Sequence, residues 1–140
     1  MSRAFMKLFI ATHAAIYRLT GGRVMGSFGK APILLLMTKG RKSGKTRTTP
    51  LLYLEENGAY FVVASAGGSP THPGWYWNLK ANPAVRIQMQ AKTMNGTATT
   101  VDSDTKSRVW PRFTAMYPEY DAYQEKTKRD IPVVKLVPQR

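Results

Sequence analysis

At 140 residues, with 43% hydrophobic and 11% aromatic residues, the chain has enough apolar surface for one domain with a core, which excludes a disordered tail. It has no cysteine, which rules out a disulfide framework and a thiolate metal site, and its two histidines, His13 and His72, are too isolated to read as a zinc pair. Lys and Arg outnumber Asp and Glu by 21 to 8, for a net +13: residues 1–54 hold ten bases and no acid, and the remainder eleven bases and eight acids. That uneven excess points to an anionic partner for the N-terminal part: nucleic acid, membrane phosphate or an acidic small molecule.

Residues 3–20, RAFMKLFIATHAAIYRLT, place Phe5, Leu8, Phe9, Thr12, Ile16 and Leu19 close to one helical face, with Arg3, Lys7 and Arg18 elsewhere. This is the pattern of an amphipathic helix, which Gly21 and Gly22 end. It suits packing on its own domain or lying on an anionic membrane surface, and its interrupted apolar run falls short of the roughly 20 residues that span a bilayer. Residues 1–30 thus form a helix and a connection, and residues 31–140 the main body of a single domain.

The segments 31–38 (APILLLMT) and 46–56 (TRTTPLLYLEE) read as strands. Between them, Lys39, Arg41, Lys42, Lys45 and Arg47 crowd around Gly40 and Gly44. The phrase GRKSGKT is not a phosphate-binding P-loop, because only Arg41, Lys42 and Ser43 separate its glycines and a strand follows where a helix is needed. Asn57 and Gly58 signal a hairpin that returns as a strand over 59–66. A turn with Gly67, Gly68 and Pro70 leads to a short helix, capped by Thr71 or His72 and ending before Pro83. Strands at 84–90 and 92–102 come next, with Gly96 marking a bulge or bend. Asp102 to Ser107 opens a helix through Met116, Pro118 begins another through Lys128, and 131–138 is a closing strand. Six strands with short connections predict a mainly β fold, a small antiparallel barrel with helices flanking it.

Three features carry candidate chemistry. The basic turn offers guanidinium and ammonium groups to phosphate or carboxylate, Arg41 and Arg47 being suited to bidentate contact. The small residues of ASAGGSP (64–70) let a flat ligand approach the backbone, although an ordinary turn has the same composition. Tyr117, Tyr120 and Tyr123 recur every three residues, so each is displaced by about 60° from the last on a helix; such a stripe serves either as core packing or as a wall with hydroxyl donors. A G-x-S-x-G elbow and a G-x-G-x-x-G after a strand are both missing, so the hydrolase and Rossmann dehydrogenase readings lack their motifs.

Together, TKGRKSGKTRTTPLLYL, VVASAGG, PGWYWNLKANPAVRIQ and WPRFTAMYPEYDAYQEKTKRDIPVVKL resemble the deazaflavin-dependent nitroreductase family, in order from Ile33 to Pro138. The resemblance implies a six-stranded split β-barrel related to flavin-mononucleotide-binding proteins. It also implies reduced 8-hydroxy-5-deazaflavin, coenzyme F-420, as hydride donor, with quinones or other electron-poor small molecules as acceptors. By the same resemblance Arg41, Lys42, Ser43 and Arg47 meet the coenzyme's phosphate and acidic tail. Thr48, Thr49 and Pro50 and the run Val63, Ala64, Ser65, Ala66, Gly67 and Gly68 line its phosphate, ribityl and ring region, with Trp75, Tyr76 and Asn78 nearby. Members of the family can carry a basic residue just after the serine, where this chain has Ala66. Tyr120 matches the proton donor, Tyr117 and Tyr123 match pocket-lining positions, and Ser65 is placed to hydrogen-bond substrate or coenzyme. No metal is implied. The rival readings are a flavin mononucleotide oxidoreductase and a basic nucleic-acid-binding barrel; against the latter, the acid-free charge and the aromatics occupy different parts of the chain. The implied location is the cytoplasm, with residues 1–20 offering a peripheral hold on the inner face of the membrane.

Overall fold

The computed structural model describes residues 27–28 and 31–139. The amphipathic helix expected over residues 3–20 lies outside the described residues.

The segment 46–56 sets the architecture. Expected as one strand, it divides at Tyr53 into β3 (Thr46–Leu52) and β4 (Leu54–Glu56). β3 pairs antiparallel with β2 (Ala31–Lys39), from Lys39 opposite Thr46 to Ile33 opposite Leu52. β4 pairs instead with β5 (Ala59–Val63). On its other side β2 meets β6 (Ala84–Met89), and the sheet continues through β7 (Lys92–Thr100) and β8 (Val133–Pro138) to β5. One bent segment therefore closes the set, joined to β2 at one end and to β5 at the other, and the barrel is split where β3 and β5 run without pairing. A two-residue strand, β1 (Ser27–Phe28), adds to the start of β2.

Side-chain parity divides the core into two. Leu34 and Leu36 of β2, Val62 of β5, Val85 and Ile87 of β6, Ala98 of β7 and Val134 and Leu136 of β8 form one buried cluster inside the barrel. The opposite parity, Leu54, Phe61, Val63 and Val133, forms a second cluster outside it. Strand side chains alternate between faces, so β5 and β8 serve both layers. The inner cluster also takes Trp75, Tyr76 and Leu79 from α1 (Gly74–Ala81). The outer one is covered by α2 (Ser103–Met116) and α3 (Glu119–Lys126) through Val109, Phe113 and Tyr120. Burying one such apolar side chain contributes about 1.5–3 kcal/mol.

Local signals acted mostly as read. Asn57 and Gly58, at φ 53° and 80°, make the tight turn between Glu56 and Ala59. Asp102 caps α2, its Oδ1 accepting from Thr105 N at 2.8 Å, and that bond holds its carboxyl below the usual range. Four expectations need correction. The strand over 59–66 ends at Val63, because the chain turns left-handed at Ala66, Gly67 and Gly68. The short helix starts at Gly74 behind Pro73, so neither Thr71 nor His72 caps it; His72 is engaged by Arg129. The last helix ends at Lys126, two residues early, with Pro118 as its cap. Gly96 makes no bulge, since β6 and β7 stay in register from Ala84 opposite Thr97 to Met89 opposite Lys92.

Gly96 is needed for closeness: a Cβ there would lie 3.0 Å from Val137 O and 3.1 Å from Ile87 Cδ1. Gly96→Val is therefore expected to lower stability by about 1–3 kcal/mol in urea denaturation, without altering the site; an unchanged midpoint would contradict this packing.

Candidate active site

The basic turn joins β2 to β3 and is closed by Gly40 N donating to Lys45 O and Gly44 N to Gly40 O, both at 2.8 Å. Lys42, Ser43, Lys45 and Arg47 are exposed, and Thr48, Thr49 and Pro50 half-buried along β3. The ion pairs among the described residues join Lys106 to Asp130 and Arg108 and Arg112 to Glu56, so none neutralises this turn. Arg41 is partly committed: its backbone N–H and Nη1 donate to Asn78 Oδ1 at 3.2 and 3.0 Å, and Nη1 also reaches Gly74 O at 3.3 Å. Asn78, 5% exposed, in turn donates through Nδ2 to the buried Thr38 hydroxyl at 3.2 Å. Asn78 thus fixes the basic turn to α1.

The second part is the loop from Ala64 to Pro73. Val63 and Ala64 are buried, Ser65 is half-buried, and Ala66 and Gly67 are exposed. Ala66 stands at φ 47°, a left-handed conformation that costs a non-glycine residue on the order of 1–3 kcal/mol and persists only where its surroundings impose it. Two contacts do so. Gly68 lies so close to α3 that a Cβ would come within 2.8 Å of Tyr123 O. Arg129, between α3 and β8, donates to the carbonyls of Ser69, Ala64 and Ser65 at 2.8, 3.1 and 2.5 Å. Its Nη1 is also 2.9 Å from His72 Nδ1; a guanidinium only donates, so Nδ1 accepts and His72 is neutral with its proton on Nε2.

The tyrosines of the α2–α3 corner form the third part. Tyr120 is 6% exposed, with its ring 5.0 Å from Tyr117 and 5.9 Å from Phe113, centroid to centroid. Burial pushes its phenol well above the ordinary range, so it is a protonated hydroxyl, and that hydroxyl has no hydrogen-bond partner among the described residues. Half-buried Tyr117 and Tyr123 share a hydroxyl–hydroxyl bond of 3.0 Å, which raises the Tyr117 phenol to about 12, with burial adding to the effect.

The loop holds these parts in one rim. Arg41 grips it at Gly74, Arg129 grips it from Ala64 to His72, and Gly68 abuts Tyr123. Of the expected site residues, Trp75 and Tyr76 stand apart from the surface: both rings are buried in the barrel cluster, and the Tyr76 hydroxyl is 2.9 Å from Thr100 Oγ1. Two grooves lie away from the rim. One of about 330 Å³ is lined by Glu56, Arg108 and Lys135 among others, and one of about 190 Å³ touches the site only at His72 and Tyr76. Arg129 and Thr38 were not singled out by sequence. Arg129 does stand two residues before the closing strand in the phrase KRDIPVV, but nothing local marks its partners.

Burial, and then the Arg129 charge, hold the His72 imidazole below its ordinary value of 6.5. The unfolded chain takes up that proton near pH 6.5 and the folded chain only at lower pH, so the stability contributed by neutral His72 is complete above about 6.5 and is lost as pH falls below it. Thermal unfolding between about pH 8 and pH 5 should show this decline, and His72→Asn, which keeps an acceptor but does not titrate, should flatten it. An equal slope in the variant would contradict the assignment.

The family model described as F420H(2)-dependent quinone reductase matches residues 9–138. The F420H(2)-dependent quinone reductase Rv1261c of Mycobacterium tuberculosis is 46% identical over 129 residues, 89% of this chain and 86% of that protein. A solved structure described as the F420-H2 dependent reductase FDR-A is 46% identical with a TM-score of 0.69, across 75% of this chain and 93% of its own. Another, described as a domain-swapped dimer, is 40% identical with a TM-score of 0.72, across 90% and 94%. The chain belongs to the F420H(2)-dependent quinone reductase family.

Proposed function

We propose that this chain is an oxidoreductase that uses reduced coenzyme F-420 to reduce quinones or similarly electron-poor acceptors. Beyond family membership, one observation carries the reading: among the described residues the five bases of the β2–β3 turn have no ion-pair partners, and they adjoin a loop with a left-handed turn that abuts the tyrosine corner, where the buried Tyr120 hydroxyl has no hydrogen-bond partner. These residues fit a coenzyme with a flat ring, a phosphodiester and an acidic tail. When bound, the reduced deazaflavin supplies hydride.

The chain's own residues supply binding and the proton. Lys42 and Arg47, both exposed, offset the phosphodiester and carboxylate charge, while Arg41 and Asn78 keep the turn in place. Thr48, Thr49 and Pro50 and the run from Val63 to Gly68 flank the split between β3 and β5. Ser65 offers a hydroxyl at its edge. The Tyr120 hydroxyl, kept protonated by burial, donates to the acceptor oxygen as negative charge develops there, and Tyr117 and Tyr123 form the wall beside it. Trp75 and Tyr76 act from beneath, as packing that keeps α1 in place.

Steady-state oxidation of reduced coenzyme F-420 by a water-soluble quinone tests the assignment. Tyr120→Phe should lower kcat by about 10²-fold or more with the coenzyme KM nearly unchanged. The double variant Lys42→Ala, Arg47→Ala should do the reverse, raising the coenzyme KM by about tenfold at nearly constant kcat. Unchanged turnover would remove Tyr120 from the mechanism, an unchanged KM would remove the turn from coenzyme binding, and absence of coenzyme oxidation with any quinone would defeat the reading.

A cytoplasmic enzyme acting on a lipid-soluble quinone gains from contact with the bilayer, and the basic amphipathic pattern of residues 3–20 suits that role. Deleting residues 1–20 is expected to abolish co-sedimentation with phosphatidylglycerol vesicles. Co-sedimentation that survives the deletion would rule out that segment as the contact.

A further inference from the structure

Arg129 lies in none of the parts assigned a role in binding or chemistry, yet it makes the densest set of polar contacts in the loop. Three backbone carbonyls, of Ala64, Ser65 and Ser69, accept from its Nη1, Nη2 and Nε, and His72 Nδ1 accepts a further bond from Nη1. The fork geometry matters, because a single ammonium group cannot span acceptors on both sides of the turn. Between these anchored carbonyls the backbone passes from right-handed Ser65, at φ −75° and ψ −36°, to left-handed Ala66. That succession turns consecutive N–H groups towards one side, the arrangement that forms a cradle for an anionic oxygen. The turn's internal bonds use Gly68 N and Ser69 N, which donate to Ser65 O and Ala66 O; the N–H groups of Ala66 and Gly67 have no acceptor among the described residues.

We propose that Arg129 is a positioning residue of the coenzyme site: by holding the carbonyls of Ala64, Ser65 and Ser69, it keeps the Ala66 and Gly67 N–H groups available to an oxygen of the coenzyme. The proposal rests on the function proposed above. The half-buried guanidinium adds positive charge beside the turn, which favours an anion there, and its Nε, Nη1 and Nη2 are already engaged by four acceptors.

Fluorescence titration with oxidised coenzyme F-420, and amide NMR of Gly67 during the same titration, test this on wild type, Arg129→Lys, Arg129→Ala and, as a destabilised control, Gly96→Val. Wild type and Gly96→Val should bind alike, with a coenzyme-induced shift of the Gly67 amide. Arg129→Lys should bind about 10- to 100-fold more weakly and lose that shift, with its coenzyme KM raised and kcat at saturation nearly kept. If Arg129→Ala does not fold, Arg129→Lys decides alone. Affinity and Gly67 shift equal to wild type in a folded Arg129→Lys would overturn the proposal while leaving the function intact. Failure of wild type to bind the coenzyme would overturn the function and, with it, this role.

Discussion

The structure depends on one segment serving two neighbours. Residues 46–56 pair with β2 up to Leu52 and with β5 from Leu54, and the change of partner at Tyr53 closes the barrel while leaving β3 and β5 apart. A barrel closed by continuous pairing would have no side opening, and an open sheet would have no interior to anchor α1. The split permits both. It places the basic end of β3 on one side and the end of β5, with its Ser65–Gly68 turn, on the other.

Arginine side chains then fix what the sheet leaves free. The loop from Ala64 to Pro73 contains two proline residues and two glycines and has little regular hydrogen bonding of its own. Arg41 holds the residue just past its end, donating to the Gly74 carbonyl and the Asn78 side-chain amide oxygen, and Arg129 holds the loop itself, donating to three carbonyls and to His72 Nδ1. Lys39, Lys42, Lys45 and Arg47 are exposed and have no ion-pair partner among the described residues.

The sequence showed what local chemistry dictates. Asn57-Gly58 specifies its turn, Asp102 its cap, and the alternation of Val85 and Ile87 with exposed Arg86 its face of the sheet. The break at Tyr53 was not legible, because LLYLEE continues an acceptable strand pattern and only the competing partners β2 and β5 divide it. Arg129 was not legible for a related reason. Its acceptors are backbone carbonyls about 60 residues away in sequence, and every residue has a carbonyl. Aromatic stripes were ambiguous in kind: Trp75, Tyr76 and Tyr120 are all buried, and only for Tyr120 does burial leave a hydroxyl without a partner among the described residues. Family resemblance named the segments proposed as the site, but it could not separate exposed groups such as Lys42 and Arg47 from buried ones such as Trp75, Tyr76 and Asn78.

The proposed function depends on a match between a basic turn that has no ion-pair partners among the described residues and a coenzyme bearing an acidic tail. The most direct measurement is a binding titration of the purified protein with coenzyme F-420, alongside flavin mononucleotide and a single-stranded oligonucleotide, at low and high salt. Saturable binding of coenzyme F-420 well above that of flavin mononucleotide, weakening as salt screens the tail, is the predicted result. Equal or tighter binding of flavin mononucleotide, or a response to the oligonucleotide alone, would contradict it and assign the basic rim to a different anion.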